Sequence, residues 1–306
     1  MEQEQLFIDY IEQSIIQNWD RNALTDYQGI TLQYKDVARK IAKFHIVLES
    51  AGIQPGDKIA VCGRNSAHWA VCFLATVTYG AVIVPILHEF KADNIHNIVN
   101  HSEAKLLFVG DRAWENLNEE AMPLLMGVVL LTDFTPVVCR DERLMEAFEH
   151  RNAIYGARYP KNFRPEHICY RKEQSPEELA VINYTSGTTG YSKGVMLPYR
   201  SLWSNIGLLP RNAARTSRRP YRIHAPSGAC FRHGLRFSLR FLGRRTPLFP
   251  HPHAVAKDYR AVILRNQAAC HILRAAHRRE DYQEKHPATH RQQDRQTAAT
   301  DAYRQR

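Results

Sequence analysis

Two spacings of apolar residues divide the first 206 residues into helices and strands. Apolar residues recur every three or four positions over Leu6–Trp19 and Lys35–Leu48, which is the spacing of one helix face. Short apolar runs between and after them predict buried strands. These runs are Lys58–Cys62, Ala81–Ile86, Lys105–Val109, Gly127–Leu131 and Ala180–Tyr184. Strands that alternate with helices predict an α/β fold with a parallel sheet.

The most apolar stretch, Trp69–Leu87, contains nineteen residues without a charge. That is close to the roughly 20 residues that cross a bilayer. Gly80 and Pro85 interrupt it, so we predict a helix over Ala67–Tyr79, capped by Asn65 or Ser66, and then a buried strand. We expect no transmembrane segment. We also expect no signal peptide, since the chain opens on acidic and polar residues.

Six cysteines lie at positions 62, 72, 139, 169, 230 and 270, and no two of them form a C-x-x-C pair. This pattern is typical of buried thiols in a reducing compartment and gives no zinc or disulfide framework. It predicts a cytoplasmic protein, and it leaves a peripheral position at a membrane open.

The segment Tyr184–Leu197, YTSGTTGYSKGVML, carries the chain's clearest chemistry. Gly187, Gly190 and Gly194 allow a ligand to approach the backbone closely, and successive backbone N–H groups form a concavity for anions. Ser and Thr hydroxyls add donors, and Lys193 adds a positive charge for phosphate. The spacing differs from the G-x-x-x-x-G-K-[ST] loop of NTPases, because Ser192 occupies the second glycine position. The segment therefore predicts a polyphosphate-binding loop of another kind.

Tyr184–Leu197 resembles the phosphate-loop signature of the acyl-adenylate-forming superfamily of acyl-CoA synthetases, luciferases and adenylation domains. Earlier segments resemble the same family. Gly29–Ala38 is similar to its T-Y-x-E-L segment, and Ala51–Val61 to its G-x-x-x-G-D-R-V-A turn. Asn65–Trp69 and Ala75–Pro85 are similar to its N-S-x-E-W and A-G-A-V-x-V-P stretches. Residues 1–206 are thus identified as the N-terminal portion of an AMP-binding domain, most like a long-chain fatty-acid–CoA ligase.

This resemblance implies a two-step ligase reaction in which ATP, Mg2+ and coenzyme A take part. A fatty acid attacks the α-phosphate of ATP to give an acyl-adenylate, and the thiol of coenzyme A then takes the acyl group. Positioning and neutralisation of phosphate charge supply most of such catalysis. The residues implied to contact the ATP phosphates are Thr185, Ser186, Gly187, Thr188, Thr189, Gly190 and Lys193. Another acyl- or aryl-CoA ligase, or an adenylation domain, is the alternative.

Charge divides the chain at residue 206. Residues 1–206 hold 20 Lys and Arg against 25 Asp and Glu, a net charge of −5. Residues 207–306 hold 21 against 6, a net charge of +15, and 19 of the 21 are Arg. This Arg/His-rich region also lacks periodic apolar residues. It is interpreted as a nucleic-acid-binding segment, as a disordered appendage, or as the product of a shifted reading frame.

The genetic code tests the third interpretation. Joining the last two codon bases of each residue to the first base of the next permits T-P-S-P-K-I-I-A over His253–Ala261. The same shift permits M-L-P-L-A-H-V-F-G-M-A-F-D-F-L-Y-G over His224–Arg240 and V-P-L-I-V-E-K-I-I-K-K-N-I-L-P-L-I-D-N-K over Arg274–Gln293. The second string resembles the family's next motif, and the third resembles the helix that follows it. We therefore favour a frameshift that begins close to Ile206.

The family's adenine-binding segment, its ribose-binding Asp in a T-G-D-type motif and its catalytic Lys have no match in the sequence. We therefore expect this chain to be an inactive, truncated fragment of a ligase, and we assign no catalytic residue and no metal ligand. Residues 207–306 are expected to be poorly structured. Their charge predicts nonspecific binding to polyanions, because a net +15 attracts RNA and anionic lipid. A basic nucleic-acid-binding protein is the alternative of another class.

Overall fold

Parallel strands and their crossover helices build most of the fold. The structure is a computed structural model, and it describes residues 6–26, 29–185, 193–207, 221–222 and 247–249. The helices are α1 (Phe7–Gln17), α2 (Tyr34–Ser50), α3 (Ala67–Tyr79), α4 (Ala92–His101), α5 (Asp111–Trp114), α6 (Glu142–Arg158) and α7 (Tyr199–Gly207). The strands are β1 (Asn22–Asp26), β2 (Thr31–Gln33), β3 (Lys58–Cys62), β4 (Val82–Ile86), β5 (Ala104–Val109), β6 (Gly127–Leu130), β7 (Pro136–Cys139), β8 (Leu179–Thr185), β9 (Lys193–Pro198), β10 (Tyr221–Arg222) and β11 (Pro247–Phe249).

The main sheet has seven strands in the order β7-β6-β5-β3-β4-β8-β9. The five interior strands are mutually parallel, which confirms the predicted α/β fold. Both edge strands are antiparallel to their neighbours, which the sequence analysis did not predict. A short connection after Leu130 returns the chain into β7, and β9 returns beside β8. Such short connections join antiparallel strands, whereas parallel strands need a long crossover.

The apolar stretch Trp69–Leu87 divides into α3 and β4, as predicted. Ser66 caps the helix, because its Oγ accepts a hydrogen bond from the backbone N–H of Trp69 at 3.1 Å. Gly80 ends it with a φ of +87°, a left-handed conformation that favours glycine. A Cβ at this glycine would also collide with the side chain of Arg171. Within the described residues, no helix is both long and apolar enough to span a bilayer.

Alternate residues of the interior strands β3, β4 and β6 belong to the two cores on opposite faces of the sheet. In β3, Ile59 and Val61 belong to the core that contains α1, α2, α3 and α6, whereas Ala60 and Cys62 belong to the core that contains α4. This alternation follows from the two-residue repeat of a strand. It also explains why these strands are continuous apolar runs, because both of their faces are covered.

A second sheet has the order β10-β11-β1-β2, and β1 pairs in parallel with β11. Strands β10 and β11 are the parts of the Arg/His-rich region that the structure describes. Strand β1 is also joined to the main sheet's layer of helices, since a carboxylate oxygen of Asp26 accepts a hydrogen bond from the backbone N–H of Ala67 at 2.8 Å. Burial raises the pKa of this carboxyl group, and the hydrogen bond lowers it to a smaller extent.

The cysteines only partly match the expectation of buried thiols. Cys62 and Cys72 are buried, and Cys139 is partly buried. Burial raises the pKa of the Cys72 thiol well above its usual range. Cys169 is exposed, so the expectation was wrong for it. It lies in an irregular segment between α6 and β8, where no repeat of apolar positions indicates which side chains face inward. Cys230 and Cys270 lie outside the described residues.

Candidate functional site

The predicted phosphate loop connects the two strands of a β-hairpin. Strands β8 and β9 are antiparallel, and the pair nearest the loop is Thr185 with Lys193. Both residues are exposed, and residues 186–192, which connect them along the chain, lie outside the described residues. Of the residues predicted to contact phosphate, the structure therefore brings Thr185 and Lys193 together. The others, Ser186, Gly187, Thr188, Thr189 and Gly190, lie outside the described residues.

The hairpin is positioned by the parallel part of the sheet. Strand β8 pairs with β4 through Val181 and Ile83. Extending this register by four residues brings Thr185 to the level of Leu87, just after β4 ends. Ligands of open α/β sheets bind outside the carboxyl ends of the strands. Strand β8 ends with Thr185 at this edge of the sheet.

An aromatic side chain and a glycine form the base of the hairpin. The hydroxyl group of Tyr184 lies 2.6 Å from Nδ1 of His101, and the two rings meet edge to face. This contact joins β8 to the last turn of α4. Opposite Tyr184 lies Gly194, where a Cβ would come within 3.2 Å of the Tyr184 ring and 3.1 Å of Ile182. A larger residue at position 194 would require these neighbours to shift by a few tenths of an ångström.

Further charged residues lie at the carboxyl ends of β3 and β4. Arg64 is the second residue after β3, and His88 is the second residue after β4. The pKa of His88 is lowered, mainly by burial, with Glu89 raising it and Arg64 lowering it further. Neither residue belongs to a motif that the sequence shows. Their position directly after two predicted strands is the signal that identifies them, because parallel strands end at the same edge.

The hairpin's side chains suit phosphate rather than a metal ion. Thr185 contributes a hydroxyl group and Lys193 an ammonium group. Among the described residues, no cluster of three or more His, Cys, Asp or Glu residues suits a metal ion. Mg2+ usually binds through substrate phosphates, one or two carboxylates and water, so a Mg·ATP complex needs no such cluster. The arrangement can therefore hold a polyphosphate that brings its own metal.

Comparison with known proteins gives a consistent result. A family model described as AMP-binding enzyme matches residues 11–273. The matched range extends past residue 206, where the charge of the chain changes sign, so the boundary between the two regions stays a prediction. The match includes the interior strands of the main sheet and the whole hairpin.

Curated relatives include ligases of several kinds. The chain is 29% identical to long chain acyl-CoA synthetase 3 of Arabidopsis thaliana over 170 residues, which cover 55% of the chain and 25% of that protein. It is 30% identical to 4-coumarate–CoA ligase-like 9 of Oryza sativa subsp. japonica over 190 residues, which cover 61% of the chain and 31% of that protein. The chain therefore spans a quarter to a third of the length of these relatives.

Solved structures share the fold at low sequence identity. A natural red-emitting luciferase from Phrixothrix hirtus superposes with a TM-score of 0.63 at 17% identity. The superposition covers 80% of this chain and 46% of the luciferase. Identity this low supports the fold alone, and it agrees with the α/β arrangement around the hairpin.

Proposed function

The chain belongs to the AMP-binding enzyme family, and we propose that its β8–β9 hairpin holds the phosphates of ATP for activation of a carboxylic acid. In this reaction the acid becomes an acyl-adenylate and then a thioester of coenzyme A. The observation that supports the proposal is the Thr185–Lys193 pair, which opens the glycine-rich loop at the carboxyl edge of the sheet. The hydroxyl-rich, glycine-rich composition of the loop supports it further.

The proposed roles follow the chemistry of each residue type. Backbone N–H groups near Gly187 and Gly190 bind phosphate oxygens, and the hydroxyl groups donate further hydrogen bonds. The hydroxyl groups belong to Thr185, Ser186, Thr188 and Thr189. Lys193 neutralises phosphate charge from the start of β9. Mg2+ enters with ATP and supplies the remaining neutralisation. Coenzyme A is the proposed thiol substrate.

We propose a long-chain fatty acid as the acyl substrate. One curated relative is a long chain acyl-CoA synthetase, which supports this choice, and another is a 4-coumarate–CoA ligase-like protein, which supports an aryl acid instead. Adenylation of palmitate and of 4-coumarate distinguishes them. A cytoplasmic location stays a prediction from the cysteine pattern.

Binding of Mg·ATP to the purified full chain tests the site. Equilibrium dialysis is expected to detect one ATP per chain. Lys193→Met is expected to weaken binding roughly tenfold, because it removes one charge-assisted hydrogen bond from an exposed site. Lys161→Met is a matched control at another exposed lysine and leaves binding unchanged. Absence of ATP binding, or equal affinity of the Lys193 variant and the wild type, contradicts the proposal.

The reading-frame hypothesis predicts that binding occurs without turnover. If residues 207–306 are out of frame, the family's adenine- and ribose-binding groups cannot form in this region. We therefore expect no acyl-hydroxamate from palmitate, ATP and hydroxylamine. ATP-dependent hydroxamate formation would contradict the expectation that this chain is inactive, and it would support the proposed activity. Resequencing the DNA around the codons for Ser201–Arg211 tests the hypothesis directly.

The net charge of +15 on residues 207–306 supports a second proposal, nonspecific polyanion binding. Retention of the full chain on immobilised tRNA is expected at 50 mM salt and lost at 300 mM, because binding through phosphate charge falls steeply with salt. Retention that persists at 300 mM and depends on RNA sequence would instead indicate an evolved nucleic-acid-binding segment.

A further inference from the structure

A cavity of about 230 Å³ lies near β5 and β6, away from the β8–β9 hairpin. It is lined by side chains of α2 and α6, by Phe108 of β5 and by Asp133 and Phe134, which follow β6. Strands β3 and β4 separate β5 from β8 in the sheet. The cavity is therefore distinct from the phosphate-binding hairpin, and nothing in the proposed ligase reaction requires it.

Three cations line this cavity. Lys40 and Lys43 lie one turn apart on α2, and Arg151 belongs to α6. Asp133 is the one carboxylate among the lining residues. It is exposed, and its Oδ1 accepts a hydrogen bond from the backbone N–H of Thr135 at 2.9 Å. The lining thus has a net charge of +2, and its carboxylate is oriented by the turn in which it lies.

Lys40 is the cation with the fewest favourable contacts. Lys43 donates a hydrogen bond to Oδ1 of Asn152 at 2.8 Å, and Nη1 of Arg151 donates to the carbonyl oxygen of Phe134 at 3.5 Å. Lys40 has no hydrogen bond or ion pair within the described residues. Burial lowers its pKa and Lys43 lowers it further, with Asp36 opposing and Arg151 adding a smaller decrease. An anion beside Lys40 would reduce this repulsion.

Aromatic rings form the apolar side of the cavity. Phe44 stacks on Phe108 with ring centroids 4.8 Å apart, and Phe134 meets both rings edge to face at 6.2 Å. The ammonium group of Lys40 lies 5.8 Å from the centre of the Phe134 ring. Phe134 has a φ of 61°, a left-handed conformation that is strained for a residue with a bulky side chain. The backbone N–H of Phe134 also donates a hydrogen bond to the carbonyl oxygen of Leu130 at 3.0 Å.

We propose that this cavity binds a small organic anion in which a carboxylate or phosphate is attached to one aromatic ring system of one or two fused rings. The anionic group lies between Lys40, Lys43 and Arg151, and the ring packs against the phenylalanines. Drug-sized ligands occupy cavities of roughly 300–1,000 Å³. The smaller volume here favours a single ring system over a long acyl chain, so we expect the ligand to differ from the proposed fatty-acid substrate.

Binding of 1-naphthoate to the full chain, followed by its fluorescence, tests this site. We expect one naphthoate per chain and no binding of the neutral analogue 1-naphthylmethanol at the same concentrations. Lys40→Met retains the length of the side chain and removes its charge, and it is expected to weaken binding roughly tenfold. Arg151→Met is expected to act in the same direction. Lys35→Met is the matched control, because Lys35 lies on the same helix, pairs with Asp20 and is not part of the cavity.

Several outcomes overturn the proposal. Equal affinities of wild type and Lys40→Met would do so if circular dichroism shows that the variant is folded. Equal binding of naphthoate and naphthylmethanol would show that the cations contribute nothing. Displacement of naphthoate by Mg·ATP would place the probe at the hairpin. A phosphate-bearing probe, 1-naphthyl phosphate, distinguishes the two anionic groups, and either preference supports an anion site.

Discussion

Strands β4 and β9 both contain Val and Pro, yet the fold uses them in opposite ways. All five residues of β4 are buried between β3 and β8. Among the described strands, β9 pairs only with β8, and its first four residues are exposed, including Val195 at 44% and Met196 at 67%. The interior strand β4 is covered by its neighbours, whereas the edge strand β9 presents residues that a ligand can reach. Exposed apolar residues on an edge strand also favour self-association.

The largest expected difference between the two strands is in stability. Ile83→Ala in β4 removes a fully buried side chain and leaves a cavity, which is expected to lower the free energy of unfolding by about 2–5 kcal/mol. Val195→Ala, the matched change in β9, is expected to alter it by no more than about 0.5 kcal/mol. Urea denaturation of both variants measures the difference. Equal losses would mean that β9 is covered in solution.

A partly buried histidine, His45, makes the stability of the fold sensitive to pH. The ring of His45 donates a hydrogen bond from Nε2 to the carbonyl oxygen of Ala75 at 2.9 Å, and burial lowers its pKa from 6.5 to about 4. The folded state therefore binds this proton less readily than the unfolded state. The stability that the neutral His45 ring contributes is fully present above pH 6.5. It decreases by up to about 3 kcal/mol as the pH falls towards 4.

Unfolding free energies measured between pH 7 and pH 4 check this dependence. His45→Gln is expected to reduce it, because the variant has no proton to gain at this position. His150→Gln serves as the control, since His150 is exposed on α6. A wild-type stability that is constant over this range would contradict the assignment of a neutral His45.

Sequence patterns predicted the interior better than the edges. Strand β3 and helix α3 were predicted with the bounds that the structure shows. Strand β3 is a short apolar run, and α3 is an apolar segment that begins at the capping residue Ser66. Helix α6 was missed, since it buries only Leu144 and Ala147 and has no continuous apolar face. Strand β9 was taken as part of a loop motif. No repeat of apolar positions within β9 indicates that this segment pairs with β8.

The sequence predicted the residues of the candidate loop, and it did not predict the residues that surround them. Thr185 and Lys193 were selected from one continuous segment of sequence, and the structure pairs them. Arg64 and His88 lie about 100 residues or more from that segment, and only the parallel order of the strands brings their ends to the same edge. The same holds for Lys40 and Arg151, which come from helices far apart in the chain. Single-sequence patterns do not encode contacts between distant segments.

A smaller effect is expected where the two strands of the hairpin touch. In Gly194→Ala, the added methyl group would press against Ile182 and the Tyr184 ring, so the free energy of unfolding should fall by about 1 kcal/mol. Gly156→Ala is the control, because a Cβ at Gly156 in α6 meets nothing within 4 Å. That change should be stabilising by up to about 1 kcal/mol, because alanine favours a helix. Thermal unfolding that changes in the same direction for both variants would show that the hairpin is looser than its contacts indicate.

The smallest effect on stability is expected at Met196, together with a measurable effect on association. Met196→Lys replaces an exposed apolar side chain on the edge strand with a charge, so the free energy of unfolding should change by less than about 0.5 kcal/mol. Charge on an edge strand opposes pairing with another chain. The variant should therefore remain monomeric at concentrations where the wild type associates, as measured by light scattering. If association is unchanged in Met196→Lys and lost when the salt concentration is raised, it depends on charge elsewhere in the chain, and the exposed edge of β9 is not its cause.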